Sequence, residues 1–252
     1  MRLTRIYLPG SWRADDSVPL PDTACEHLTK VLRARAGLAF RVFDGAGREH
    51  EARLEQQSRA GASARIGVAV PGALLARAPL AIRLLQSVTR GEKMDWVLQK
   101  ATELGVSTVQ PVLAERCVVH IDDERQPARL SHWRKVAVAA CEQSGRVWLP
   151  DIRPPLGLTE ACEQVLQQDE LLLALDPEAT QTLAAVVKNS EAGPRTAISL
   201  LIGPEGGLSE AELRWLRQSA AKLTTLGPRI LRTETAAIAA VTAIQLLAGD
   251  FG

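Results

Sequence analysis

Along residues 1–70 apolar and polar side chains alternate in short runs, whereas beyond residue 80 apolar positions come in continuous blocks separated by helical stripes. Arg2 to Leu8 alternates and is ended by Pro9-Gly10, Ala39 to Phe43 runs into Asp44-Gly45, and Glu49 to Leu54 and Ala62 to Val70 alternate again. Period-two runs bounded by turn residues predict strands half-buried against one core. Cys25 to Arg35 sets Leu28, Val31 and Leu32 on one side and predicts a short helix. Several short strands with tight turns predict a small β-barrel over residues 1–71. Pro71 to Pro79, with a proline at each end, reads as the linker into a second domain over 72–252.

The second domain opens on an apolar strand, Leu80 to Val88. After a short loop, Met94, Val97, Leu98, Ala101 and Leu104 recur at helical spacing until Gly105 stops them. Thr108 to Val112 predicts a strand, Leu130 to Ser144 a helix with Trp133, Val136, Ala137, Ala140 and Cys141 inward, and Asp169 to Pro177 another strand. Ala197 to Ile202 and Lys222 to Leu226 are further strands, and between them Ser209 and Glu212 form a capping box that opens a helix. Strands alternating with helices imply a largely parallel, three-layer α/β domain. The last helix, Thr235 to Leu247, is apolar almost all round, so every side of it needs cover. Either its own domain supplies that cover or a second copy does, and a dimer is the simpler expectation for a terminal helix.

Composition changes this picture little. The 252 residues suffice for two domains, and 46% hydrophobic with 23% charged residues are ordinary for a soluble globular chain. The net charge of +1 gives no whole-chain argument for nucleic acid. Charge is uneven, however: residues 1–70 hold 11 Lys and Arg against 8 Asp and Glu, a balance of +3, and the remainder carries −2. A basic lobe marks a polyanion surface or merely solubilises a small domain. Cys25, Cys117, Cys141 and Cys162 form no CxxC pair and stand at no zinc spacing with the four histidines, so reduced thiols and no metal are expected. No signal-peptide core and no apolar run of about 18–20 residues is present, which predicts a cytoplasmic protein without a membrane span.

The candidate chemistry lies in two loops at strand carboxyl ends, where open α/β sheets bind ligands. The first is Gly203-Pro204-Glu205-Gly206-Gly207-Leu208 and the second is Leu226 to Thr235. A phosphate cradle needs a lysine and a hydroxyl after its glycines. Here there is no lysine, and Glu205 would repel a triphosphate. A neutral or cationic ligand suits the loop better, with glycines letting backbone approach a flat ring. The same glycines also fit a plain turn ending a strand. No GxGxxG follows an early strand, which argues against a nucleotide-binding dehydrogenase.

Arg83 to Val88, Lys93-Met94-Asp95, Gln99 to Val106, Glu115-Arg116-Cys117 and Ala140 to Arg146, and most strongly Ile202 to Leu208 and Leu226 to Ala236, form an ordered set of motifs. Together they resemble the RsmE family of SPOUT-class methyltransferases, which methylate N3 of a uridine in 16S ribosomal RNA. The resemblance spans essentially the whole chain, and the order and spacing of the motifs carry it. Cys117 departs from it, standing where the family pattern has serine.

The resemblance implies a C-terminal SPOUT domain with a deep trefoil knot, an N-terminal PUA-like barrel, and a homodimer whose site uses both chains. It implies S-adenosylmethionine as cofactor, lodged against Leu175, Gly203, Glu205, Gly207, Leu226, Gly227, Ile230 and Leu231. Arg232 and Glu234 follow the second loop and are candidates for substrate contact, with a structural ion pair as the alternative. Arg2, Arg5, Lys30 and Arg33 on the barrel, and Arg90, Lys93, Arg116 and Arg146 beyond it, are candidates for contact with 16S RNA or the small ribosomal subunit. A SPOUT enzyme acting on transfer RNA or another ribosomal site, and a non-catalytic RNA-binding assembly factor, are the competing readings.

Overall fold

The computed structural model describes residues 3–26, 28, 34–58, 61–71, 80–119, 122, 124–190 and 197–251. Most of the predicted linker, residues 27 and 29–33 of the helix predicted over Cys25 to Arg35, and the candidates Arg2, Lys30 and Arg33 lie outside these residues. The chain divides into two compact units, residues 1–77 with 138–149, and residues 78–137 with 150–252. The sequence placed the boundary at 71/72 and did not foresee that 138–149 joins the first unit.

In the first unit, β1 (Arg5–Tyr7), β2 (Ser17–Pro19), β3 (Ala39–Phe43), β4 (Glu49–Ser58) and β5 (Gly61–Ala69) form one sheet in the order β1-β3-β4-β5-β2, with the short helix α1 (Asp22–Glu26) between β2 and β3. Only β1 and β3 pair in parallel. Alternation sorts the side chains: Phe40 and Val42 of β3, Ala52 and Leu54 of β4, and Ala64 and Ile66 of β5 enter one core with Ile6, Leu8 and Leu28. Register shifts at His50/Ala52 and Leu54/Gln56 curve the long β4–β5 hairpin.

A second, smaller cluster joins Phe43 to Cys141 and Val147, with Tyr7, Trp148 and Leu149 beside it. Arg5 is bound into this cluster. Its Nε donates to Glu49 Oε1 at 2.6 Å, Nη1 to the Cys141 carbonyl at 2.6 Å and Nη2 to the Arg146 carbonyl at 3.2 Å. The guanidinium also lies 4.6 Å from the centre of the Phe43 ring. Arg5 therefore does not present its charge to RNA phosphates as expected: its side chain is only 5% exposed and every arm of its fork is in use. Gly47 is required nearby, because a Cβ there would collide with the Trp148 ring and its φ is +100°.

In the second unit, β6 (Ala81–Ser87), β7 (Thr108–Leu113), β8 (Asp151–Ile152), β10 (Leu171–Leu175), β11 (Ala197–Ile202) and β12 (Lys222–Thr224) follow the order β12-β10-β11-β6-β7-β8, and β9 (Leu156–Gly157) also pairs with β7. Every pairing is parallel. The central strands β6 and β11 are mostly apolar, as a sheet covered on both faces demands, with Arg83, Gln86 and Ser87 the exceptions in β6 and Ser199 in β11. One face packs α2 (Glu92–Glu103), α5 (Leu183–Asn189) and α7 (Thr233–Ala248) around Leu84, Val97, Leu200 and Val241. Across the sheet, α4 (Leu158–Leu166) and α6 (Glu210–Gln218) cover Leu85, Leu172 and Leu201. The long helix α3 (Gln126–Ser144) contributes Trp133 and Ala137 to the first of these cores.

Helix α2 shows how local signals and packing agree. Met94, Val97, Leu98 and Ala101 form its buried stripe. The helix stops where Gly105 takes φ +89°, and Gln245 of α7 donates its Nε2 to the orphan Leu104 carbonyl at 2.6 Å. The buried cysteines are packing residues. Burial pushes the Cys141 thiol up to about 11 and that of Cys162 up to about 12, so neither is a ready nucleophile. No described helix is long and apolar enough to cross a membrane.

Candidate functional site

The carboxyl ends of β11 and β12 carry the two loops. After β11, Gly203 turns the chain and Pro204 to Gly207 form a tight turn, closed by the Gly207 amide donating to the Pro204 carbonyl at 2.9 Å. Leu208 folds back over Gly203, where a Cβ would stand 3.2 Å from Leu208 Cγ. The loop then enters α6 through the predicted capping box: Ser209 Oγ accepts from the Glu212 amide at 3.1 Å, and Glu212 Oε2 accepts from the Ser209 amide at 2.7 Å. Glu212 Oε1 accepts from the Glu115 amide at 2.9 Å. Arg116 Nη1 donates to the carbonyls of Gly206, at 3.3 Å, and Leu208, at 3.2 Å. The segment after β7 thus clamps this loop from outside, and Arg116 is part of the clamp.

The second loop is shaped by its own side chains. Thr225 is held by backbone bonds to Gln181 and Leu183, and its hydroxyl bridges the amide and carbonyl of Gly227 at 3.3 and 3.1 Å. Gly227 takes φ +108° and faces open space. Leu226, like Leu175 at the end of β10, is half-buried against the core, while Pro228, Arg229 and Ile230 stand out, Ile230 being 86% exposed.

One side chain joins the two loops. The Thr233 hydroxyl donates to the Gly203 carbonyl at 2.6 Å and accepts from Gln86 Nε2 at 3.2 Å. Both residues are buried, and neither is among the candidates taken from the sequence. A glutamine inside the apolar run of β6 was the available signal, since a buried amide needs partners.

Above this junction Lys93 stands between two carboxylates, 3.3 Å from Glu205 Oε1 and 3.8 Å from Glu234 Oε2. Arg232 is exposed at the head of α7, and Arg90 is exposed before α2. Arg146 belongs to the first unit, where its carbonyl receives Arg5. Among the described residues no group of three or more potential ligands would hold a metal.

The arrangement suits a cationic, partly flat ligand. Two carboxylates share one lysine at the mouth, which favours a positive charge. At Gly207 and Gly227 an added Cβ would meet nothing, so backbone groups are open to approach. Gln86 Oε1, Ser87 Oγ and Thr224 Oγ1, at strand carboxyl ends, and Thr89 Oγ1, two residues past β6, are buried without hydrogen-bond partners, a state natural at a site completed by something else.

A family model described as an RNA methyltransferase domain matches residues 76–245, and one described as an RNA methyltransferase PUA domain matches 20–66. A ribosomal RNA small subunit methyltransferase E of Buchnera aphidicola is 30% identical over 249 residues, covering 99% of this chain and 98% of that one. The chain belongs to the RsmE family of RNA methyltransferases. Two solved structures extend the RsmE match to three dimensions. A methyltransferase of Legionella pneumophila with bound SAM aligns with a TM-score of 0.90 at 35% identity. The ribosomal RNA small subunit methyltransferase E of Neisseria gonorrhoeae, bound to S-adenosyl methionine, aligns with a TM-score of 0.88 at 38% identity. Each covers 100% of both chains. The RsmE architecture expected from the resemblance, an α/β methyltransferase domain of SPOUT type with a PUA-like N-terminal domain, is the one observed.

Proposed function

We propose that this enzyme transfers a methyl group from S-adenosylmethionine to N3 of a uridine in 16S ribosomal RNA, as a cytoplasmic homodimer. The observation that carries the reading is the Thr233 bond to Gly203, which fixes two strand-end loops into one cradle. The cofactor supplies an electrophilic methyl on a cationic sulfur. In the cradle, Gly203, Gly207 and Leu226 to Leu231 offer backbone groups to a flat ring, Leu175 lends apolar surface, and Glu205 bears a charge that complements the sulfonium. The target uridine must be unpaired or flipped, because N3 lies on its Watson–Crick edge.

RNA affinity is assigned to Arg90, Arg116 and Arg232 on the second unit, together with Lys93. The dimer reading is supported by Leu246 in the last turn of α7 and Phe251 just beyond it, which are 58% and 45% exposed. A trefoil threading belongs to the same proposal. Its support is that the chain leaves β12 at the sheet edge and, within residues 225–232, returns to the end of β11 two strands away.

The test is transfer from methyl-labelled cofactor to naked 16S RNA, to small ribosomal subunits and to transfer RNA, with the product base identified by mass spectrometry. Label appearing as a single N3-methyluridine in 16S RNA or in subunits is expected. Label confined to transfer RNA, or to ribose, contradicts the proposal, and no transfer to any of the three favours an RNA-binding assembly factor.

A further inference from the structure

Methylation at N3 poses a problem that the cofactor does not solve: N3 carries a proton and is a poor nucleophile until it is lost. Resting on the reaction proposed above, we propose that Glu234 takes this proton, with Lys93 steering the carboxylate and balancing the charge left on the pyrimidine.

The assignment follows from which carboxylate oxygens are free. Glu212 spends both oxygens on backbone amides, those of Ser209 and Glu115. Asp176 is buried, accepts from the Glu178 amide and faces Arg217 at 3.9 Å. Glu205 accepts from Lys93 and is the more exposed of the two acids at the mouth, 29% against 16%. Glu234 Oε2 differs from all of these. It is buried and has no hydrogen-bond donor, its nearest cation being Lys93 Nζ at 3.8 Å, beyond hydrogen-bonding distance. A buried carboxylate oxygen without a donor costs free energy, and an N–H presented by a substrate relieves it. Glu234 also follows Thr233 directly, so the hydroxyl that ties α7 to Gly203 fixes where this carboxylate starts relative to the cofactor loop.

The step balances. The N3–H bond breaks and its proton passes to the Glu234 carboxylate. The pair left on N3 forms the new N–C bond to the methyl group as the C–S bond breaks, and its electrons return to sulfur, which becomes neutral. Lys93, already poised between two acids, has a donor to offer a pyrimidine carbonyl oxygen as the ring gains negative charge.

The experiment compares Glu234→Gln and Glu234→Asp with the wild-type enzyme on two RNAs, one with uridine and one with 5-fluorouridine at the methylated position. Fluorine withdraws electrons and makes N3 more acidic, so less is asked of a base. Cofactor and RNA binding are followed by calorimetry. Glu234→Gln is expected to bind both normally, to lose roughly 100-fold or more in methylation rate on uridine, and to recover much of that loss on 5-fluorouridine. Glu234→Asp is expected to fall between it and the wild type. An undiminished rate in Glu234→Gln overturns the inference. An equal loss on both RNAs, or a loss matched by weaker binding, also overturns it, because a merely structural glutamate would behave so. If the wild-type enzyme places no methyl on N3, the proposed reaction itself fails.

Discussion

Arg5→Ala is expected to lower unfolding stability by about 3–5 kcal/mol, as for removal of one partner of a buried ion pair. Without the guanidinium, Glu49, 8% exposed, keeps a charge with no close counterpart except Arg41, whose Nη1 is 3.8 Å from its other oxygen. The carbonyls of Cys141 and Arg146 lose their side-chain donors, and Phe43 loses the cation over its ring. Arg5→Lys restores the charge as a compact ammonium without the planar fork, so it should recover only part of the loss. Urea denaturation of the intact protein measures both. A fully stable Arg5→Ala protein with weakened RNA binding would show that Arg5 serves RNA instead.

Gly227→Val is expected to raise the cofactor dissociation constant at least about tenfold while lowering global stability by no more than about 1–3 kcal/mol. At φ +108° a branched L-residue is strained by about 1–3 kcal/mol, and about 1.4 kcal/mol corresponds to a factor of ten in affinity. An added Cβ meets no atom within 4 Å, so backbone conformation more than collision is what changes. The loop would relax away from φ > 0, taking Leu226 and Ile230 with it and breaking the two hydrogen bonds between the Thr225 hydroxyl and the Gly227 backbone. Gly10→Val is the matched control. Gly10 has φ +120° and equally open surroundings, but lies in the first unit, where the same strain should not touch cofactor affinity. Calorimetric titration with S-adenosylmethionine separates the two variants, and equal weakening in both would mean the effect is not local to the loop.

The parts legible in the sequence were those written in local periodicity. The α6 capping box, the α2 stripe and the apolar runs of β6 and β11 needed only neighbours a few residues apart. The stripe of α4, with Leu158, Ala161, Cys162 and Val165 buried at helical spacing, is equally plain, yet no element is predicted above for those residues. Strands as short as β2, β8 and β9 show no period at all and are held by their partners. The role of Arg5 was illegible for a different reason: Glu49 and Cys141 lie 44 and 136 residues away, and nothing local distinguishes a clamped arginine from a solvated one. The inward side of α3 was readable at Cys141, but its packing partner Phe43 was not.

The candidate site divides the same way. Glycines and a carboxylate at strand ends announced both loops, since turns and charge are local properties. What joins the loops, the relay from Gln86 through Thr233 to Gly203, spans residues 86 to 233 and exists only once β6 and β11 lie side by side, with Gln86 opposite Ile202.

The central claim is that the loops around residues 203 and 227 together hold the methyl donor, and a crystal structure of the protein soaked with S-adenosylmethionine tests it most directly. The account predicts the adenine ring against the backbone of Leu226 to Leu231 and the sulfur facing the mouth formed by Lys93, Glu205 and Glu234. Ordered cofactor bound anywhere else on the chain, with both loops left empty, would contradict it.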